Sequence, residues 1–107
     1  MEDAEIMIFA FGISARAAIE AAMAAREQGM KVGVFQPLTI WPFPEKALAE
    51  RFKRIKKVLT VELNMGQTKL EIERIATDDV EKRGMFKASG IPFTPGLILE
   101  ELKKYWG

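Results

Sequence analysis

Ile6-Met7-Ile8-Phe9-Ala10-Phe11 is apolar without alternation and stops abruptly at Gly12. A strand with one wet face alternates apolar and polar residues, so this run requires cover on both faces, the habit of a parallel strand held between two helical layers. It is far short of the roughly 20 residues that a membrane-spanning helix needs. Glu2, Asp3 and Glu5 precede it where a secretion signal would be basic.

Beyond Gly12, helix-like and strand-like patterns alternate. Ser14 can cap a helix over Ala15 to Gln28, with Ala15, Ile19, Ala22 and Met23 on one face and Arg16, Glu20 and Glu27 on another, so that a thin helix lies close on the sheet. Gly29 ends it in the manner of a left-handed terminator, and Lys31-Val32-Gly33-Val34-Phe35 reads as a second strand. Gln36 to Pro44 holds three of the five prolines together with Trp41 and Phe43, a stiff apolar loop. Pro44 then opens a helix to about Arg54 whose buried stripe is Leu48, Phe52 and Ile55. The basic cluster Arg51, Lys53, Arg54, Lys56 and Lys57 falls at its end, where cations complement the helix dipole.

Val58-Leu59-Thr60-Val61 is the third strand, and it breaks into Glu62-Leu63-Asn64-Met65-Gly66-Gln67. The next stretch is ambiguous: Leu70 and Ile72 alternate, whereas Thr68, Ile72, Ile75 and Ala76 share a helical face. A helix over about Met65 to Thr77 is preferred because it returns the chain to a parallel sheet. Val80 to Ala88, charged and containing Gly84, suits an edge strand. After a turn at Gly90 to Phe93, Thr94-Pro95 supplies a cap and a first-turn proline for a last helix with Ile98, Leu102 and Tyr105 on one side. Residues 1–107 therefore read as one α/β domain.

Composition excludes several chemistries. With no Cys and no His, the chain cannot hold an iron–sulfur cluster through thiolates, build a His-rich zinc or haem site, or form a Cys–His or Ser–His nucleophile pair. The lack of disulfides fits a reducing, cytoplasmic location. A formal net charge of +1 with signs well mixed gives no pull toward nucleic acid or an anionic membrane.

In an open parallel sheet, ligands and partners gather at the carboxyl ends of the strands. There, Gly12, Ser14 and Arg16 occupy the place of a phosphate loop at a helix amino terminus. The dinucleotide fingerprint would need Gly at Ser14 and Ala17, and a nucleophile elbow fails at Arg16, so a tight turn with Ser14 as cap is the competing reading. A phosphoreceiver domain would place acids after the first strand and Asp after the third, where this chain has Gly12-Ile13-Ser14 and Glu62. Glu62, Asn64 and Gln67 can hydrogen-bond a substrate or a partner's backbone, or merely shape their loop. No second titratable group is set beside Glu62, so neither catalytic nor metal-binding residues are expected. Trp41 and Phe43 are either local core or a contact for another domain.

Taken in order, Gly12-Ile13-Ser14, Val32-Gly33-Val34-Phe35, Trp41-Pro42-Phe43-Pro44, Val61-Glu62-Leu63-Asn64-Met65-Gly66-Gln67 and Gly90-Ile91-Pro92-Phe93-Thr94-Pro95 resemble the carboxyl-terminal domain of the α subunit of 2-oxoacid:ferredoxin oxidoreductases, over nearly the whole chain. One departure is Gly96-Leu97 after Pro95, where acidic residues are more usual; the last helix thereby lacks a capping-box partner. The resemblance implies a transketolase C-terminal-domain-like fold, a three-layer α/β/α sandwich on a mostly parallel four-stranded sheet in the order 2-1-3-4. That larger fold carries an extra antiparallel edge strand ahead of the first strand. Too few residues precede Ile6 to supply one, so a fragment or small subunit of a larger α chain is expected, or an edge left to a partner.

The resemblance also implies a complete complex that converts a 2-oxoacid, coenzyme A and oxidised ferredoxin to acyl-CoA, CO2 and reduced ferredoxin. Thiamine diphosphate, magnesium, iron–sulfur clusters and coenzyme A serve that complex, and none is expected to be bound by this chain. The implied role is noncatalytic assembly, inactive in isolation. Trp41 and Phe43 in the stiff loop, with Glu62, Asn64 and Gln67, would dock on the remaining α-subunit domain and other subunits, with ferredoxin reached through the complex. The rival reading is a free-standing module that binds a nucleotide or coenzyme A phosphate at Gly12, Ser14 and Arg16.

Overall fold

Strand β1 (Ile6–Ala10) is buried along its whole length. It pairs in parallel with β2 (Val32–Phe35) on one side and β3 (Lys57–Glu62) on the other. β3 pairs in parallel with β4 (Glu81–Phe86), giving the spatial order β2-β1-β3-β4. Helices α1 (Ile13–Glu27), α2 (Glu45–Phe52), α3 (Gln67–Ile75) and α4 (Pro95–Trp106) alternate with the strands. This computed structural model describes residues 4–10, 13–36, 45–62, 67–86 and 93–106.

The pleat divides β1 between two cores, which explains its lack of alternation. Ile6, Ile8 and Ala10 join Val32, Leu59 and Val61 in the cluster that contains the inner faces of α1 and α4. Met7, Phe9 and Val58 join Leu48, Phe52, Ile55, Ile72, Ala76 and Val80 in the cluster under α2 and α3. The result is the expected three-layer α/β/α sandwich. Phe9 stacks on Phe35 with ring centroids 5.7 Å apart and planes 14° apart, so side chains as well as ladder hydrogen bonds hold β2 to β1.

Helix α1 departs from expectation in which face it buries. Ala15, Ala17, Ala18, Ala21, Ala22 and Ala25 are buried, whereas Ile19 is 42% and Met23 63% exposed. Alanine, not bulk, meets the sheet and α4, because a methyl side chain lets the helix backbone approach closely. Ser14 lies inside the first turn, after Ile13, rather than ahead of the helix as a cap would, and is buried at 1% exposure. The carboxyl end behaves as expected: Gly29 has φ of 90°, its N–H donates to the Arg26 carbonyl and that of Met30 to the Ala25 carbonyl, a Schellman motif.

The expected stripe Leu48, Phe52 and Ile55 is buried, although α2 ends at Phe52 and Ile55 lies beyond it. Lys56 Nζ donates to the Phe52 carbonyl at 3.0 Å and pairs with Asp79 at 2.8 Å, tying the end of α2 to the turn before β4. Ambiguous Lys69 to Arg74 is helical, with Ile72 and Ala76 buried and Leu70 exposed. On α4, the Leu97 N–H donates to Thr94 Oγ1 at 3.2 Å, the expected cap, and Ile98 and Leu102 form its buried stripe.

Candidate functional site

Because all four strands are parallel, Ala10, Phe35, Glu62 and Phe86 end at one edge, and each segment after a strand leaves from there. The helices reached from this edge begin at Ile13, Glu45, Gln67 and Pro95. Pairing of Ala10 with Val61 and of Glu62 with Phe86 sets Glu62 one residue beyond the end of β1. Glu62 is thus the outermost residue of the central strand β3, and Gln67 opens α3 directly after the connection. Trp41, Phe43, Asn64 and Gly12 lie outside the described residues; the described ends that flank them all face this edge.

Around α1, Ser14 is enclosed by the core, while Arg16 is exposed and has no ion-pair partner among the described residues. The two candidate anion-binding side chains therefore have different surroundings. Arg74 at the far end of α3 pairs with Glu45 at 2.5 Å and with Glu71 at 2.8 Å, which locks the first turn of α2 against α3. The hydrogen bond to Glu71, then that to Glu45, pushes the guanidinium further above its ordinary value. Glu45 also sits at the positive end of the α2 dipole.

Phe93, read from sequence as part of a turn, is buried in the same cluster as Ile98. Apolar residues immediately before a Thr cap and four positions after it make a hydrophobic staple, and Phe93-Thr94-Pro95-Gly96-Leu97-Ile98 carries that spacing. It fixes where α4 leaves the edge.

A cleft of about 190 Å³ lined by Glu50, Arg51, Lys53 and Arg54 lies at the opposite end of α2, near the amino edge. It is smaller than the roughly 300–1,000 Å³ typical of small-molecule sites. Lys53 there pairs with Glu50 at 3.1 Å, so the basic cluster is partly neutralised in place. Among the described residues, no three Asp or Glu side chains are grouped to hold a metal ion, and no helix is long and apolar enough to cross a membrane.

Residues 4–92 match the family described as pyruvate:ferredoxin oxidoreductase core domain II. The 2-oxoglutarate synthase subunit KorA of Methanothermobacter marburgensis is 33% identical over 101 residues, covering 94% of this chain and 27% of that protein. The ketoisovalerate oxidoreductase subunit VorB of the same organism is 40% identical over 73 residues, covering 68% of this chain and 21% of that protein. A solved 2-oxoglutarate:ferredoxin oxidoreductase from Magnetococcus marinus superposes with a TM-score of 0.82 at 26% identity over 94% of this chain and 18% of its own. A split-gene transketolase, an inactive β4 tetramer, shares the fold with a TM-score of 0.66 at 22% identity, covering 94% of this chain and 33% of that chain. The chain thus spans about a quarter of the length of the KorA relative.

Proposed function

Since this chain belongs to the pyruvate:ferredoxin oxidoreductase core domain II family and is homologous to subunits of 2-oxoacid:ferredoxin oxidoreductases, we infer that it is a noncatalytic docking domain of such a complex. The observation that carries the reading is the parallel topology, which brings every strand-to-helix segment to one edge. Those segments contain the proline-flanked Trp41 and Phe43 and, between Glu62 at the end of β3 and Gln67 at the start of α3, Asn64. Prolines beside the aromatics restrict the backbone before binding and so lower the ordering cost, and amides fix register.

In the complete complex the reaction is oxidative decarboxylation of a 2-oxoacid to acyl-CoA and CO2 with reduction of ferredoxin. Thiamine diphosphate, magnesium, iron–sulfur clusters and coenzyme A supply its chemistry, in the cytoplasm. The residues of this chain do not fit the clusters, since it has no thiolate to ligate iron. The clusters therefore fall to the remaining α-subunit domain and the other subunits, this chain's partners in the proposal, and we place the other cofactors there with them.

Replacing both Trp41 and Phe43 with Ala tests the assignment by co-elution with the remaining oxidoreductase subunits. Loss of co-elution with an unchanged circular dichroism spectrum is the expected result. Undiminished association would overturn it.

A further inference from the structure

Helix α2 is anchored by packing toward one end only. Leu48 and Phe52 are buried, whereas Glu45, Lys46 and Ala47 in its first turn are exposed. That turn is held by Arg74 of α3, whose Nη1 donates to Glu45 at 2.5 Å across 29 positions of sequence. Among the described residues, no other ion pair or side-chain hydrogen bond reaches Glu45, Lys46 or Ala47. The guanidinium meets Glu45 already oriented, because its Nε donates at 2.8 Å to Glu71, one turn back on the same helix, where the Glu71 side chain is only 27% exposed. A fork fixed by one carboxylate loses less side-chain freedom to a second than a lone surface pair would. Glu45 favours the arrangement further, since its charge lies at the positive end of the α2 dipole.

We propose that Arg74 is a positioning residue for the docking segment: by fixing Glu45 to α3, it sets the direction in which Trp41 and Phe43 reach the remaining α-subunit domain. The inference rests on the docking role proposed above. Phe43 stands two residues before Glu45 and Trp41 four, and the rings of Pro42 and Pro44 leave little φ freedom between them. An orientation imposed at Glu45 is therefore passed to both aromatics through few rotatable bonds. With the ion pair broken, α2 is free to fray back to Leu48, its first buried side chain. The residues released must then be ordered again on binding, at a cost in conformational entropy. Arg74 acts through Glu45 and not by touching the partner, a distinction that double substitution reads.

Binding of the full chain to the remaining oxidoreductase subunits, measured by interferometry at low salt, tests this. Arg74→Gln and Glu45→Gln are each expected to raise the dissociation constant about two- to fivefold, the range of an exposed ion pair, with far-ultraviolet circular dichroism unchanged. The double variant binds no worse than either single one, because both act through one contact. Arg74→Lys, which keeps the charge but not the fork, recovers part of the loss, and the gap between parent and Arg74→Gln narrows as salt rises. Hydrogen–deuterium exchange on the chain alone reads the release without any partner: Arg74→Gln speeds exchange within residues 36–48. Undiminished binding when Trp41 and Phe43 are both replaced by Ala marks failure of the docking role itself. Dependence on those aromatics together with parent affinity in Arg74→Gln, unaltered exchange in Arg74→Gln, or additive losses in the double variant would each overturn the positioning role.

Discussion

Ala21→Leu is the sharpest perturbation of the packing described for α1. Ala21 is 0% exposed, within the alanine face that meets the sheet and α4. Leucine adds an isopropyl group where there is no free surface to receive it, so either α1 lifts from the sheet or its neighbours leave their rotamers. Overpacking of this kind costs about 1–3 kcal/mol. With an unfolding entropy of about 2 cal/mol/K per residue, this chain changes by roughly 0.2 kcal/mol per kelvin at its midpoint, so Tm falls by about 5 to 13 °C. Met23→Ala, at an exposed position, stays within about 0.5 kcal/mol of the parent in dilute solution. Thermal unfolding monitored by circular dichroism reads both. A neutral Ala21→Leu beside a costly Met23→Ala would refute the assignment of the buried face.

Thr94→Ala removes the acceptor of the Leu97 N–H and is expected to cost about 1 kcal/mol, with Thr94→Ser close to neutral, by urea unfolding. Gly29→Ala puts a side chain at φ of 90° and costs about 1 kcal/mol despite open space around it, read in the same way. The hydrogen bond from Lys56, then that from Thr77, lowers the Asp79 carboxyl from its ordinary 3.8 to about 2. A lowered carboxylate stabilises fully above pH 3.8 and loses that effect as pH falls toward about 2. The Tm difference between the parent and Asp79→Asn therefore closes across that window.

Much of the architecture is legible in the sequence because local signals and tertiary needs agree. Ile6 to Ala10 has to be covered twice, and two clusters cover it. Gly29 and Thr94-Pro95 mark helix ends by backbone chemistry that tertiary packing does not override. The buried face of α1 is not legible in this way, because hydrophobicity weights Ile19 and Met23 above alanine, whereas close approach to the sheet favours the smallest side chain. Ser14 sits inside the helix it is expected to cap, because composition places a helix end only to within one or two residues. Phe93 carries a readable staple spacing to Ile98 that a turn assignment hides. For the site, sequence locates the edge and its polar break after Val61; parallel pairing then explains why Glu62 and Gln67 share that edge with the flanks of Trp41 and Phe43.

Hydrogen–deuterium exchange of this chain, alone and with the remaining oxidoreductase subunits, tests docking at the carboxyl edge most directly. The account predicts added protection in residues 36–45 and 62–67. Protection confined to residues 53–57 and 77–80 at the amino edge, or none anywhere, would contradict it.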